Sequence, residues 1–342
     1  MTRVYVGMSG GVDSSVTAAL LVEQGYDVTG VYMKNWTQDL PGMKCPWADD
    51  LADAKRVAVQ LGIDFKVFDF EKEYKQNVVD YMIDEYKAGR TPNPDIMCNQ
   101  EVKFKLFLEA ALADGADMIA TGHYARTENG MLLRAKDENK DQTYFLYRVT
   151  SEALERTLFP LGGYLKSEVR DLAKERGLYT ASKKESMGIC FVGKVGIRDF
   201  LSQYVEATPG KVIDKQSGKV LGHHDGAIFY TIGQRHGLDI GGGLPYYVAS
   251  KDMDKNEVYV TTQLNDEGLW KSNVALHSLH WIGQQPTDGE YHIRIRHRAP
   301  LITATLQGST LQLSEAQRAI TPGQSAVIYD GEVCLGGGIV IQ

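Results

Sequence analysis

Residues 7–15 read GMSGGVDSS and follow a short apolar run. Gly10 and Gly11 can take positive φ and turn backbone N–H groups inward. The segment after them reads as a helix, whose positive N-terminal end would face the same point. Ser9, Ser14 and Ser15 add hydroxyl donors, and Asp13 could hold a magnesium ion on a bound phosphate. The pattern therefore predicts a phosphate cradle. It is neither a Walker A loop, which needs a lysine, nor a G-x-G-x-x-G dinucleotide turn.

Thiols are the second candidate chemistry. Cys98 lies in AGRTPNPDIMCNQEVKF, residues 88–104. Pro92 and Pro94 stiffen the approach. Asn99 is expected to cap the next helix, which would set Cys98 beside its N-terminus with Lys103 and Lys105 in the first turns. Both effects favour a thiolate, although a buried cysteine beneath a loop fits the local pattern equally well. Cys190 lies in ESMGICFVGK among Ile189, Phe191 and Val192, a pattern that by itself reads as a core strand. Cys45 and Cys334 match no catalytic pattern. The four cysteines form no C-x-x-C pair, which argues against a zinc or iron–sulfur site. They are also too sparse for a disulfide scaffold.

A third candidate is the segment HIRIRHR, residues 292–298. Strand alternation would put His292, Arg294, Arg296 and Arg298 on one face. Such a row suits a phosphate backbone, and it stands out in a chain of net charge −7. That net charge argues against broad, nonspecific nucleic-acid binding and leaves local basic patches as the route to a specific complex.

These residues need a frame. Over the first ~125 residues strand-like and helix-like segments alternate: strands at 3–7, 28–33, 65–70 and 118–121, helices at 13–24, 49–60, from 71 to about 88, and 101–113. The alternation predicts a parallel α/β sheet covered on both faces, with ligands at the carboxyl ends of its strands. Beyond residue 200, glycine-rich turns separate short alternating segments, which predicts a small β domain and then a β-barrel. The expected divisions are 1–200, 201–270 and 271–342. No apolar run approaches the ~20 residues of a membrane span, and the start lacks a signal-peptide pattern. The expectation is a soluble, cytoplasmic protein with no membrane partner.

SGGVDSS after an N-terminal strand resembles the PP-loop of the ATP pyrophosphatases (adenine nucleotide alpha hydrolase-like), enzymes that cleave ATP to AMP and pyrophosphate. The stretches MKNW, GRTPNPDIMCNQEVKF, ATGHYAR, KDQTYFLY, GICFVG, YTIGQRHGL and CLGGGI follow in that order. Together they resemble the bacterial tRNA-specific 2-thiouridylases over nearly the whole chain. One departure is Glu185 before Ser186, where many relatives carry Asp-Ser. The resemblance implies replacement of O2 of the wobble uridine, U34, by sulfur in the tRNAs for lysine, glutamate and glutamine.

For the site, the resemblance implies that ATP, with magnesium, is held by Gly7, Met8, Ser9, Gly10, Gly11, Val12, Asp13 and Ser14, with Met33 and Gly122 framing the adenosine. Cys98 is the implied nucleophile. Cys190 is the implied persulfide carrier and transient disulfide partner, supplied by a sulfur-relay protein or cysteine desulfurase and reset by a reductant. Asn93, Pro94 and Asp95 would meet the target base. His123, Lys140, Asp141, Gln142, His297, Arg298 and Gln324 would contact tRNA. Another PP-loop tRNA thiolase and an adenylating amide ligase are the competing readings. The first would bring extra RNA-binding modules or C-x-x-C ligands, and the second has no use for paired thiols.

Overall fold

The computed structural model describes residues 1–39, 45–184, 196–238, 240, 241, 243 and 245–341. Its first half is built on β1 (Arg3–Gly7), β2 (Asp27–Lys34), β3 (Asp64–Asp69), β4 (Met118–Ala120) and, after a hairpin of β5 (Arg126–Glu128) and β6 (Met131–Leu133), β7 (Thr157–Leu158). The sheet order is β3-β2-β1-β4-β7, all parallel. The central β1, RVYVG, is buried along four of its five residues, as a strand covered on both faces must be. The chain runs outward from β1 through β2 and β3 and then returns to the other side of β1 at β4. The crevice between β1 and β4 is therefore the topological switch point, where such sheets bind ligands.

Helices α1 (Val12–Glu23) and α2 (Trp47–Leu61) follow β1 and β2. A third helix, α3, is continuous through Glu71–Tyr74, a π-helical Lys75–Asp80 and Tyr81–Lys87. The helix that carries Cys98, α4, differs from expectation. It begins at Pro94, not near residue 101, and runs as Pro94–Met97, a π-helical Cys98–Leu106, and Phe107–Ala113. Its cap is Asn93, whose side chain accepts from the Asp95 N–H at 3.2 Å, and Pro94 takes the first helical position, where a missing N–H costs nothing. Asn99 is no cap: its Nδ2 donates to the Phe145 carbonyl at 3.1 Å.

Beyond residue 200 the chain is β structure, as expected. Strands β8 (Gly210–Asp214), β9 (Val220–His224), β10 (Tyr247–Asp252) and β11 (Glu257–Thr261) form a small sheet of order β10-β11-β8-β9. Then β12 (Trp270–Trp281), β13 (Gly289–Arg294), β14 (Ile302–Gln307), β15 (Thr310–Arg318), β16 (Ser325–Asp330) and β17 (Val333–Val340) form an antiparallel barrel, closed by β12 on β17. Alternate residues such as Leu311 and Leu313 fill its interior.

The β5–β6 hairpin pairs with this barrel, Leu132 opposite Cys334 and Leu133 opposite Val333. A buried ion pair reinforces the weld: Arg294 of β13 donates to Asp141 at 2.8 Å, with side chains 6% and 0% exposed. Among the described residues no helix is long and apolar enough to cross a membrane.

Candidate active site

A half-open cleft lies at the carboxyl ends of β1, β2 and β4. Gly7, Met8, Ser9, Asp13, Ser14, Met33 and Gly122 line it, together with Trp36, Cys45, Asp50, Lys103, His123 and Gln142. The loop after β1 is shaped for an anion. Gly10 sits at φ +71, and a Cβ there would come within 2.3 Å of the Asp50 carbonyl oxygen, so only glycine fits. Gly11, by contrast, is extended at φ −94 and forms the N-cap of α1 without a side-chain cap. The first N–H groups of α1 are thus left to a ligand. The Ser14 hydroxyl bonds to the Ser9 N–H at 3.2 Å and lines the cleft. Ser15 faces the interior: its hydroxyl donates to the Gly11 carbonyl at 2.8 Å and accepts from Thr180 at 2.9 Å.

Asp13 does not fit a magnesium site. Lys166 Nζ binds its two carboxylate oxygens at 2.6 and 2.7 Å, and the Tyr124 hydroxyl donates to it at 3.0 Å. No group of three or more His, Cys, Asp or Glu among the described residues could hold a metal ion. Lys166 and Tyr124 lie more than 100 residues from Asp13, so no spacing signal could have found them. Lys183 is similarly hidden in sequence. It bridges Asp50 and Asp53 of α2 at 2.8 and 2.7 Å, and so braces the residue on which Gly10 rests.

Helix α4 joins this cleft to the thiol. Cys98 is 3% exposed and sits one turn inside the helix. The wider i→i+5 turn that begins there is a feature often found at functional sites. Lys103 lines the cleft, and its charge reaches both Asp95 and His123. Lys105 points elsewhere, to Glu101 at 2.9 Å. Burial pushes the Asp95 carboxyl up, and Lys103 opposes it. Cys190 lies outside the described residues. Cys45 is a wall residue of the cleft whose thiol is pushed up by burial.

Several expected tRNA contacts face inward. His123 is 9% exposed. Its Nδ1 lies 2.8 Å from the Thr121 hydroxyl, and burial holds the ring well below its ordinary pKa and hence neutral. Asp141 is 1% exposed and is held by Arg294, by the Thr143 hydroxyl at 2.9 Å and by the Ala135 N–H at 3.1 Å. Gln142 accepts from the Tyr124 N–H at 2.8 Å beside the cleft. Lys140 stays partly exposed.

The arginine row is broken as well. Strand β13 ends at Arg294, which is buried against Asp141. Arg296 turns to the carbonyls of Arg318 and Ala319. Arg298 is exposed at φ +63, in a turn. His297 packs on Phe145 with ring centroids 4.4 Å apart, and burial, then the Arg298 and Arg294 charges, bring it down to about 4. Gln324 donates to the Thr91 carbonyl at 2.7 Å.

The switch point, the glycine turn and the uncapped helix start define a nucleotide-binding α/β domain, and the match of residues 2–194 to the tRNA methyl transferase HUP domain agrees. Residues 198–262 match the tRNA methyl transferase PRC-barrel domain, and residues 271–340 the aminomethyltransferase beta-barrel domain. Over 99% of its length the chain is 48% identical to the tRNA-specific 2-thiouridylase MnmA of Bacillus subtilis (strain 168), covering 95% of that protein. It is 49% identical to the protein of that name in Neisseria meningitidis, again over 99% and 95%. The chain belongs to the tRNA-specific 2-thiouridylase family, PP-loop enzymes that thiolate tRNA. A solved 4-thiouridine synthetase–RNA complex with bound ATP is similar at a TM-score of 0.40 and 20% identity, over 60% of this chain and 50% of that one.

Proposed function

We propose that the protein, working in the cytoplasm, carries out ATP-dependent 2-thiolation of the wobble uridine, U34, in the tRNAs for lysine, glutamate and glutamine. The observation that carries this reading is that one helix, α4, bears the thiol of Cys98 and also sends Lys103 into the nucleotide cleft. Residues 7–14, with Met33 and Gly122, hold ATP. Asn93, Pro94 and Asp95 receive the base, which must be flipped out of the anticodon loop to reach them.

The C2 carbonyl of uridine is a poor electrophile with a poor leaving group. Attack of O2 on the α-phosphorus forms an O2–P bond, expels pyrophosphate and makes AMP the leaving group. A persulfide on Cys190, loaded by a relay protein or cysteine desulfurase, supplies the sulfur. Either Cys98 cleaves it and the released hydrosulfide attacks C2, or the terminal sulfur attacks C2 and Cys98 then cleaves the S–S bond. In both routes the C2–O2 bond breaks, AMP departs with O2 and a Cys98–Cys190 disulfide forms. Two electrons from a thiol reductant reset the enzyme.

Incubating unmodified lysine tRNA with the protein, Mg-ATP and a persulfide donor should yield 2-thiouridine at position 34 by nucleoside mass spectrometry. No thiolated nucleoside, with a verified donor and measurable ATP binding, would favour an adenylating amide ligase.

A further inference from the structure

Residues 93–98 are mounted from outside their own domain. Thr91, two residues before the N-cap of α4, lies where the three parts of the chain meet. Its N–H donates to the Pro322 carbonyl at 2.8 Å, and its carbonyl accepts from Gln324 Nε2 at 2.7 Å. Both Thr91 backbone groups are thus bonded by one turn of the barrel. Gly323 permits the approach: it sits at φ +89, and a Cβ there would lie 2.8 Å from the Thr91 nitrogen. From the middle domain, the Thr231 hydroxyl lies 3.3 Å from that of Thr91.

The strap that follows is held by packing, with Pro92 and Pro94 both buried. Pro92 and Pro94 carry no N–H, so few backbone bonds locate the chain between Thr91 and α4. On the other flank of Cys98, the barrel residue His297 packs on Phe145, whose carbonyl accepts from Asn99. The barrel therefore bears on α4 from both sides of Cys98, through Thr91 on one and through Phe145 and Asn99 on the other.

We propose that the barrel turn at 322–324 is a positioning element for sulfur transfer, and that Gln324 acts on Cys98 and the base-receiving residues through Thr91. The proposal rests on the assignment of Cys98 to sulfur transfer. It also gives the stretch YTIGQRHGL a purpose. Thr231 meets Thr91, and Gly233 lies so close to the barrel that a Cβ would come within 2.4 Å of the Ala319 Cβ. That stretch seats the middle domain on Thr91 and on the barrel at Ala319.

The test compares Gln324→Met, which keeps the length and loses the donor, with Gln324→Lys, which restores an N–H donor, and with Gly323→Ala. Three quantities are read: tRNA Kd by filter binding, kcat for 2-thiouridine at saturating tRNA, and hydrogen exchange of the amides at 95–98. We expect Gln324→Met and Gly323→Ala to keep Kd within about twofold and lose roughly 10- to 100-fold in kcat, as displacements near 1 Å do. Exchange at 95–98 should quicken, and Gln324→Lys should recover most of kcat. A raised Kd with unchanged kcat would make Gln324 a tRNA contact and overturn the proposal, as would unchanged kcat and exchange together. If the unaltered protein formed no 2-thiouridine, the functional reading would fail separately, and exchange alone would decide whether the turn positions α4.

Discussion

Replacing Cys98 by serine should lower tRNA thiolation by about 10³-fold or more, in the range seen when a nucleophile is removed. A serine hydroxyl near neutral pH is a far weaker nucleophile than a thiolate, and it cannot close a disulfide. The substitution is nearly isosteric at a position 3% exposed within α4, so the fold should persist. Cys98 is not among the residues lining the nucleotide cleft, so ATP affinity should stay within about twofold. Single-turnover formation of 2-thiouridine, beside nucleotide titration of the same variant, checks both halves. Thiolation near the unaltered rate would remove Cys98 from the chemistry.

The second large effect is on stability. Arg294→Met should destabilise the protein by about 3–5 kcal/mol, because it leaves the Asp141 carboxylate buried without its cation. Both side chains are almost wholly enclosed, so water does little to screen the pair. Asp141 keeps the Thr143 hydroxyl and the Ala135 N–H, which satisfy lone pairs without neutralising charge. Combining Arg294→Met with Asp141→Asn should therefore recover part of the loss, since the amide still accepts and carries no charge. Urea unfolding of the two variants, beside the unaltered protein, measures this. If Arg294→Met cost no more than an exposed pair, under about 1 kcal/mol, the pair would not be the weld it looks like.

That pair also shows where reading the sequence stops. Alternation correctly put Arg294 on a strand, but the strand ends there. What covers Arg294 on β13 is Asp141, 153 residues earlier in the chain. No local pattern carries that pairing. The same limit hid Lys166 from Asp13 and Lys183 from Asp50.

Local chemistry was more legible. The apolar run 4–7, the glycine turn and the helix after it were readable because their causes lie within a few residues: a doubly buried strand, a positive φ at Gly10 and an uncapped helix start. The start of α4 was misread for a related reason. Asn93-Pro94 is itself a cap followed by a first-position proline, upstream of the cap expected at Asn99. The π-helical turn at 98–106 has no sequence signature in residue spacing. Val102 and Phe104 within it, and Phe107 just after it, pack into the core.

The most direct test of the central claim is an isotope transfer. A lysine tRNA carrying ¹⁸O at O2 of U34 would be thiolated in a single turnover with Mg-ATP and a persulfide donor, and the released nucleotide analysed by mass spectrometry. If O2 is adenylated and leaves with AMP, one ¹⁸O appears in the AMP phosphate and none in pyrophosphate. If thiolation proceeds while AMP stays unlabelled, or if ADP is formed instead, the adenylation route is wrong.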